Sequence, residues 1–165
     1  RARLAEVGRA DWDRALAVNV TGPMLGIQAV LPHLPPGSSV VNIGSVSALT
    51  GYHAAAYTVS KWALRGLSHV ASLELGLRGI RVNTVHPGFV ETPMTAAAAP
   101  AFRAVNLAQT PLGRVGTVDD IAPLVVFLIS DESGWVSGAE IVADGGQTAH
   151  GGAKQILEAT TAGDA

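Results

Sequence analysis

The chain has 165 residues, a formal charge of −2, five histidines and no cysteine. That length allows one domain with a real core. The missing cysteines exclude a disulfide framework and thiolate chemistry, and the absence of any block of like charge gives a nucleic-acid or anionic-membrane partner no electrostatic support.

Arg1 to Ala10 reads as a connecting segment, and Asp11 as the N-cap of a helix from Trp12 to about Leu34. Within it, Asn19-Val20-Thr21-Gly22 interrupts good helix formers, which predicts a local kink. Pro32, Pro35 and Pro36 end the helix. Ser39 to Ile43 is a β-branched run bounded by Pro35-Pro36-Gly37-Ser38 and Gly44, the punctuation of a buried strand, with Val40 to Ile43 as its body. Ser45 then lies just past a strand's carboxyl end, the edge where ligands bind in open parallel sheets.

After a turn over Val46 to Ala55, apolar residues recur at helical spacing from Ala54 to Leu77, with Gly79 as a stop. On that helix Tyr57 and Lys61 are i and i+4, so their tips share a side. A free phenol has a pKa near ~10, and an adjacent ammonium favours the phenolate. Ser45 can hydrogen-bond a substrate oxygen while Tyr57 exchanges a proton with it. By itself a Tyr-x-x-x-Lys spacing recurs by chance on helices, so its weight comes from what surrounds it. Tyr52 is a competing acid, but no lysine follows it at that spacing.

Ile80 to His86 alternates too little for a half-exposed strand and predicts a second buried parallel strand, turned by Pro87-Gly88 at the ligand edge. Thr95 to Thr110 is alanine-rich, with Pro100 and Pro111 as breakers and no strong amphipathic pattern. Thr117 or Asp119 caps a helix to about Ser130, and Ala139 to Ala143 is a last strand ended by Asp144-Gly145-Gly146. The tail from Gln147 to Ala165 reads as a terminal extension or an oligomer contact. The longest uninterrupted hydrophobic run, Leu124 to Ile129, is too short to span a bilayer and no signal-peptide pattern is present, so no membrane partner and a cytoplasmic location are expected. His33, His53, His69, His86 and His150 lack zinc-ligating pairing, so no metal is expected. No glycine run has the strand, G-x-G-x-x-G, helix context of a pyrophosphate site, and Gly113-Arg114-Val115-Gly116 is a turn.

The order of Asp11-Trp12-Asp13, Asn19-Val20-Thr21-Gly22, Val41-Asn42-Ile43-Gly44-Ser45, Tyr57-Thr58-Val59-Ser60-Lys61, Gly79-Ile80-Arg81-Val82-Asn83 with His86-Pro87-Gly88, and Ser137-Gly138-Ala139-Glu140 with Asp144-Gly145-Gly146 resembles the short-chain dehydrogenase/reductase family, in its hydroxysteroid and secondary alcohol dehydrogenase branch. The resemblance implies an α/β fold, a Rossmann-like doubly wound parallel sheet with helices on both faces, here its carboxyl-terminal half, with the dinucleotide-phosphate half absent. It implies NAD as cofactor, NADP not being excluded, and a secondary alcohol or ketone of apolar character as substrate. Asn19, Ser45, Tyr57 and Lys61 match the catalytic set, with the Asn19 backbone holding a water that links Lys61 to solvent. Tyr57, Lys61, Pro87, Gly88, Val90 and Thr92 match cofactor contacts; Ser45, Ser47, Tyr57, Phe89 and Met94 match substrate contacts, with Leu49, Tyr52 and His53 in the same wall. Ser45 precedes Tyr57 by twelve residues where thirteen is commoner in the family, which leaves Ser47 as an alternative to Ser45.

Thr95 to Thr110 resembles the family's substrate lid, and the two long helices resemble its dimer faces, so a homodimer or homotetramer is implied. Phe102, Val105 and Leu107 suit an apolar substrate and suit helix packing equally. Three other functions remain open: a 3-oxoacyl thioester (acyl-carrier) reductase, for which Arg103 and Arg114 are a thin basic patch; an epimerase or dehydratase on the same frame; and a non-catalytic fragment keeping only oligomerisation surfaces.

Overall fold

The computed structural model describes residues 2–161. Three parallel strands, β1 (Ser39–Ile43), β2 (Arg81–Pro87) and β3 (Glu140–Ala143), form one sheet in the order β1-β2-β3. The register pairs Val41 with Asn83 and Val85 with Ile141. β2 is buried from Arg81 to His86 because it is central and covered on both faces.

Successive residues of β2 show the two faces directly. Val82 packs with Ala71, Leu75 and Ile80, backed by Ile27, Leu31, Leu34 and Val40. Its neighbour Arg81 points the other way and donates to the carbonyls of Leu128 and Ser130 and to Ser133 Oγ. Helices therefore cover both faces, and the sheet is of the Rossmann-like open parallel type.

The amino-terminal helical stretch begins at Arg9, with Gly8 and not Asp11 as N-cap. Asp11 instead sits in the first turn, paired with Arg14. The stretch runs as α1 (Arg9–Leu16), a π-helical turn (Ala17–Thr21), α2 (Gly22–Val30) and a 3₁₀ turn (Leu31–His33). The kink expected at Asn19-Gly22 is thus a π-turn, which widens the helix by one residue. By length and composition the 25 residues Arg9–His33 could cross a membrane, the one such stretch among the described residues. Here one side of it rests on the core, with Ile27 and Leu31 on the Ala71–Val82 cluster, while Val18, Leu25 and Val30 are exposed and none of its residues is fully buried.

The long helix α3 (Ala55–Gly76) buries Ala56, Ser60, Leu64, Ser68, Ala71 and Leu75; of the apolar stripe expected from the helical period, Ala56, Ala71 and Leu75 are buried, while Val59 and Val70 are exposed. Full burial of a leucine such as Leu64 stabilises by about 1.5–3 kcal/mol. Buried serines fit the stripe because each finds a partner: Asn42 Nδ2 donates to Ser68 Oγ at 2.9 Å, and Ser68 Oγ donates to the Leu64 carbonyl. The helix ends at Gly76, and the chain leaves through Gly79 at φ 70°.

The alanine-rich segment contains α4 (Pro93–Ala96) and α5 (Pro100–Gln109), each started by a proline. α6 (Val118–Ile129) is capped by Thr117, with Asp120 completing the capping box. The tail forms α7 (Ala153–Thr161).

Candidate active site

The three strand ends and the loops after them enclose a cleft of about 890 Å³. Ser45, Ser47, Tyr57, Pro87, Gly88, Phe89, Val90, Thr92 and Met94 all line it, with Tyr52 and His53, whereas Lys61 and Leu49, expected at the same site, do not. Lys61 lies behind Tyr57, its Nζ 5.8 Å from the Tyr57 ring centroid and donating to the Ile43 carbonyl at 2.8 Å. Burial lowers its pKa, because the charged form loses water.

Ser45 is buried and caps the 3₁₀ turn Val46–Ala48, its Oγ accepting from the Ser47 amide at 3.1 Å. That bond uses a lone pair and leaves the hydroxyl proton to donate. Tyr57 stands in the first turn of α3 and is partly exposed to the cleft. Asn19 donates from Nδ2 to Ser60 Oγ at 2.9 Å, and Ser60 Oγ donates to the Tyr57 carbonyl at 2.7 Å. Its side chain therefore braces the turn that carries Tyr57.

Gly88 follows β2, and a Cβ there would lie 2.8 Å from Asp144 Cβ, so only glycine lets the two loops meet. Asp144 in turn accepts from the Gly146 and Thr148 amides and from Thr148 Oγ1. Thr92 caps α4, with Oγ1 accepting from the Thr95 amide at 3.3 Å. Thr95 Oγ1 donates to the Val90 carbonyl at 2.8 Å.

The facing wall is aromatic and amide-rich. Phe102 of α5 meets Phe89 edge-on at 5.5 Å and lies 6.4 Å from both Tyr52 and His53. Asn106, Gln109, Gln147 and Gln155 complete that wall, and Gln147 donates to Asn106 Oδ1 at 3.0 Å. The tail from Gln147 was expected to be an extension or oligomer contact, yet residues up to Gln155 line the cleft. Their signal was the Gly145-Gly146 pair, whose positive φ values of 65° and 87° turn the chain back under Thr110 and Pro111. Among the described residues, no Asp, Glu, Lys or Arg lines the cleft. Arg103 and Arg114 are occupied by Glu91 and Asp120. No metal-type cluster occurs among the described residues.

Residues 1–148 match the family model described as enoyl-(acyl carrier protein) reductase. The chain belongs to the short-chain dehydrogenase/reductase family. Within this family it is 41% identical over 147 residues to trans-4-hydroxycyclohexanecarboxylate dehydrogenase of Sinomonas cyclohexanicum, covering 88% of this chain and 55% of that protein. It is 45% identical over 142 residues to 3-alpha-(or 20-beta)-hydroxysteroid dehydrogenase of Mycobacterium bovis, covering 84% of this chain and 53% of the relative. Among solved structures, 4-hydroxyisoleucine dehydrogenase complexed with NADH superposes with a TM-score of 0.83 at 29% identity, over 90% of this chain and 63% of that one. The chain thus spans a little over half the length of these curated short-chain dehydrogenase/reductase relatives.

Proposed function

We propose that the protein interconverts a secondary alcohol and its ketone with a nicotinamide dinucleotide, NAD being favoured by the NADH-bound structural neighbour. The observation that carries this is the shared corner: the Ser45 and Tyr57 side chains on one cleft, with the Lys61 ammonium behind the phenol ring. A bound nicotinamide supplies the hydride acceptor or donor. The uncharged segment Pro87, Gly88, Val90 and Thr92 would hold the nicotinamide, and Lys61 would turn from the Ile43 carbonyl to hold its ribose. The pyrophosphate finds no fit here, since among the described residues neither a lysine or arginine nor a glycine-rich phosphate loop lines the cleft. We therefore assign the phosphate-binding half of the domain to residues outside this chain, which agrees with its partial span of its relatives and with β1 standing as an open edge strand.

In the oxidative direction Ser45 Oγ donates to the substrate oxygen and holds it near Tyr57 Oη. Tyr57 takes the hydroxyl proton, and the Lys61 charge favours the phenolate that does so. Asn19 supports the relay, with its side chain bracing the Tyr57 turn and its backbone the station for a water. The Phe89–Phe102 wall and the lack of any lysine or arginine among the described residues lining the cleft favour a largely apolar substrate.

A second reading, reduction of 3-oxoacyl thioesters, draws on the family model's description and on 38% identity to (3R)-3-hydroxyacyl-CoA dehydrogenase of Mus musculus. Against it stand Arg103 and Arg114, both already paired with carboxylates. A panel of steroid, cyclic and simple secondary alcohols and 3-hydroxyacyl thioesters, assayed with NAD and NADP, separates the two. Turnover of thioesters alone would reject the alcohol reading. Calorimetric titration of the 165-residue chain with NAD tests the missing half: micromolar binding would overturn it, and no binding alongside intact folding is what a fragment keeping only its oligomer surfaces would give.

A further inference from the structure

His86 is fully buried in β2, although packing alone would be served by a leucine. Its Nδ1 lies 3.2 Å from the Ser45 amide nitrogen and 3.0 Å from the Ser45 carbonyl oxygen, and its Nε2 lies 3.2 Å from Glu140 Oε1. Glu140, on β3, is held down to about 2, first by the Arg65 hydrogen bonds and then by the charge of Arg65 and by His86. An ionised carboxylate only accepts, so a neutral ring carries its proton on Nε2 and leaves Nδ1 to accept the Ser45 N–H.

Arg65 of α3 closes the circuit. Its Nε and Nη2 donate to Glu140 at 2.5 and 2.7 Å, and its Nη1 donates to the Ala48 carbonyl at 2.8 Å. The Ser45 amide and the Ala48 carbonyl are the two ends of the short turn that Ser45 caps. Gly44 gives the ring its place, since a Cβ there would sit 2.5 Å from His86 Nδ1. His69 also faces Glu140, 3.6 Å from Oε2 and half exposed.

We propose that His86, Glu140 and Arg65 are positioning residues that clamp both ends of the 45–48 turn and so aim the Ser45 hydroxyl at the substrate oxygen. This rests on the reading of Ser45 given above. A small misplacement of a reacting group costs up to a hundredfold in rate.

The test uses the full-length protein with two readouts, steady-state kinetics and peptide hydrogen exchange over residues 44–49. His86→Leu is expected to lower kcat by about tenfold to a hundredfold with the KM for the dinucleotide unchanged. It is also expected to raise exchange in 44–49 by about tenfold while the centre of α3 stays protected. His86→Asn, whose amide can replace Nδ1 at Ser45, recovers part of both. Glu140→Gln, at a partly exposed position, gives the same pattern more weakly and decides the matter if His86→Leu does not fold. Unchanged exchange and kcat in both variants, or exchange rising equally through α3 and the sheet, overturns the clamp. A wild-type protein that turns over no alcohol overturns the function proposed above, and the exchange readout still judges the clamp alone.

Discussion

The two walls of the cleft are held in different ways. On the proposed catalytic wall, Ser45 and Lys61 are fixed by bonds between β1, β2, α3 and the turn after β1: Lys61 to Ile43, His86 to Ser45, Arg65 to Ala48. On the facing wall, α4 is held by its own cap, Thr92 with Thr95, and α5 by the ring contacts of Phe102 and by peripheral bonds from the loops, Gln147 to Asn106 and Arg103 to Glu91. Hydrogen bonds between distant elements fix direction, as proton transfer requires. Ring contacts fix only volume and tolerate exchange, which suits a surface that chooses among substrates.

Substitutions on each wall should therefore fail differently. Tyr57→Phe keeps the ring and removes the proton carrier, so kcat should fall by about 10²–10⁴ while the urea midpoint stays put; a variant retaining most of its turnover would end the acid–base assignment. Ser45→Ala should cost about 10²–10³ in kcat by losing one donor to the substrate oxygen. The same change in Ser47, if larger, would move that role to Ser47. Across the cleft, Phe102→Ala should lower kcat/KM for bulky apolar alcohols by about tenfold and leave the smallest alcohols nearly unaffected. Equal losses on both would show that the aromatic wall serves catalysis and not selection.

The smallest effect concerns pH. Glu140 titrates at about 2 in the fold against an ordinary 4.5. As pH falls below 4.5 the unfolded chain takes up the proton first, so stability present above 4.5 is lost as pH drops toward 2. Urea midpoints should decline over that window in the wild type and much less in Glu140→Gln, which starts lower at neutral pH.

The placement of the proposed catalytic wall was legible in the sequence because its parts are local: Ser45 two residues past the end of β1, and a tyrosine and lysine one helical turn apart on α3. Helix α5 was not, since prolines and alanines mask a period that Phe102 expresses only against Phe89 and Tyr52. Nor was the start of α1, where Gly8 supplies the cap by backbone geometry and Asp11 prefers Arg14. The Arg65–Glu140–His86 circuit joins residues 75 and 54 positions apart, a link made only when three elements pack together.

The π-turn at Ala17–Thr21 carries a further consequence. A helix with one surplus residue is offset by about 100° beyond it, and Ile27 and Leu31 meet the core only in that offset phase. Loss of Val18 from this turn would leave every signature residue in the chain and yet swing that greasy stripe out toward water. The phasing of the first helix is thus as much a heritable constraint as the letters of its motifs.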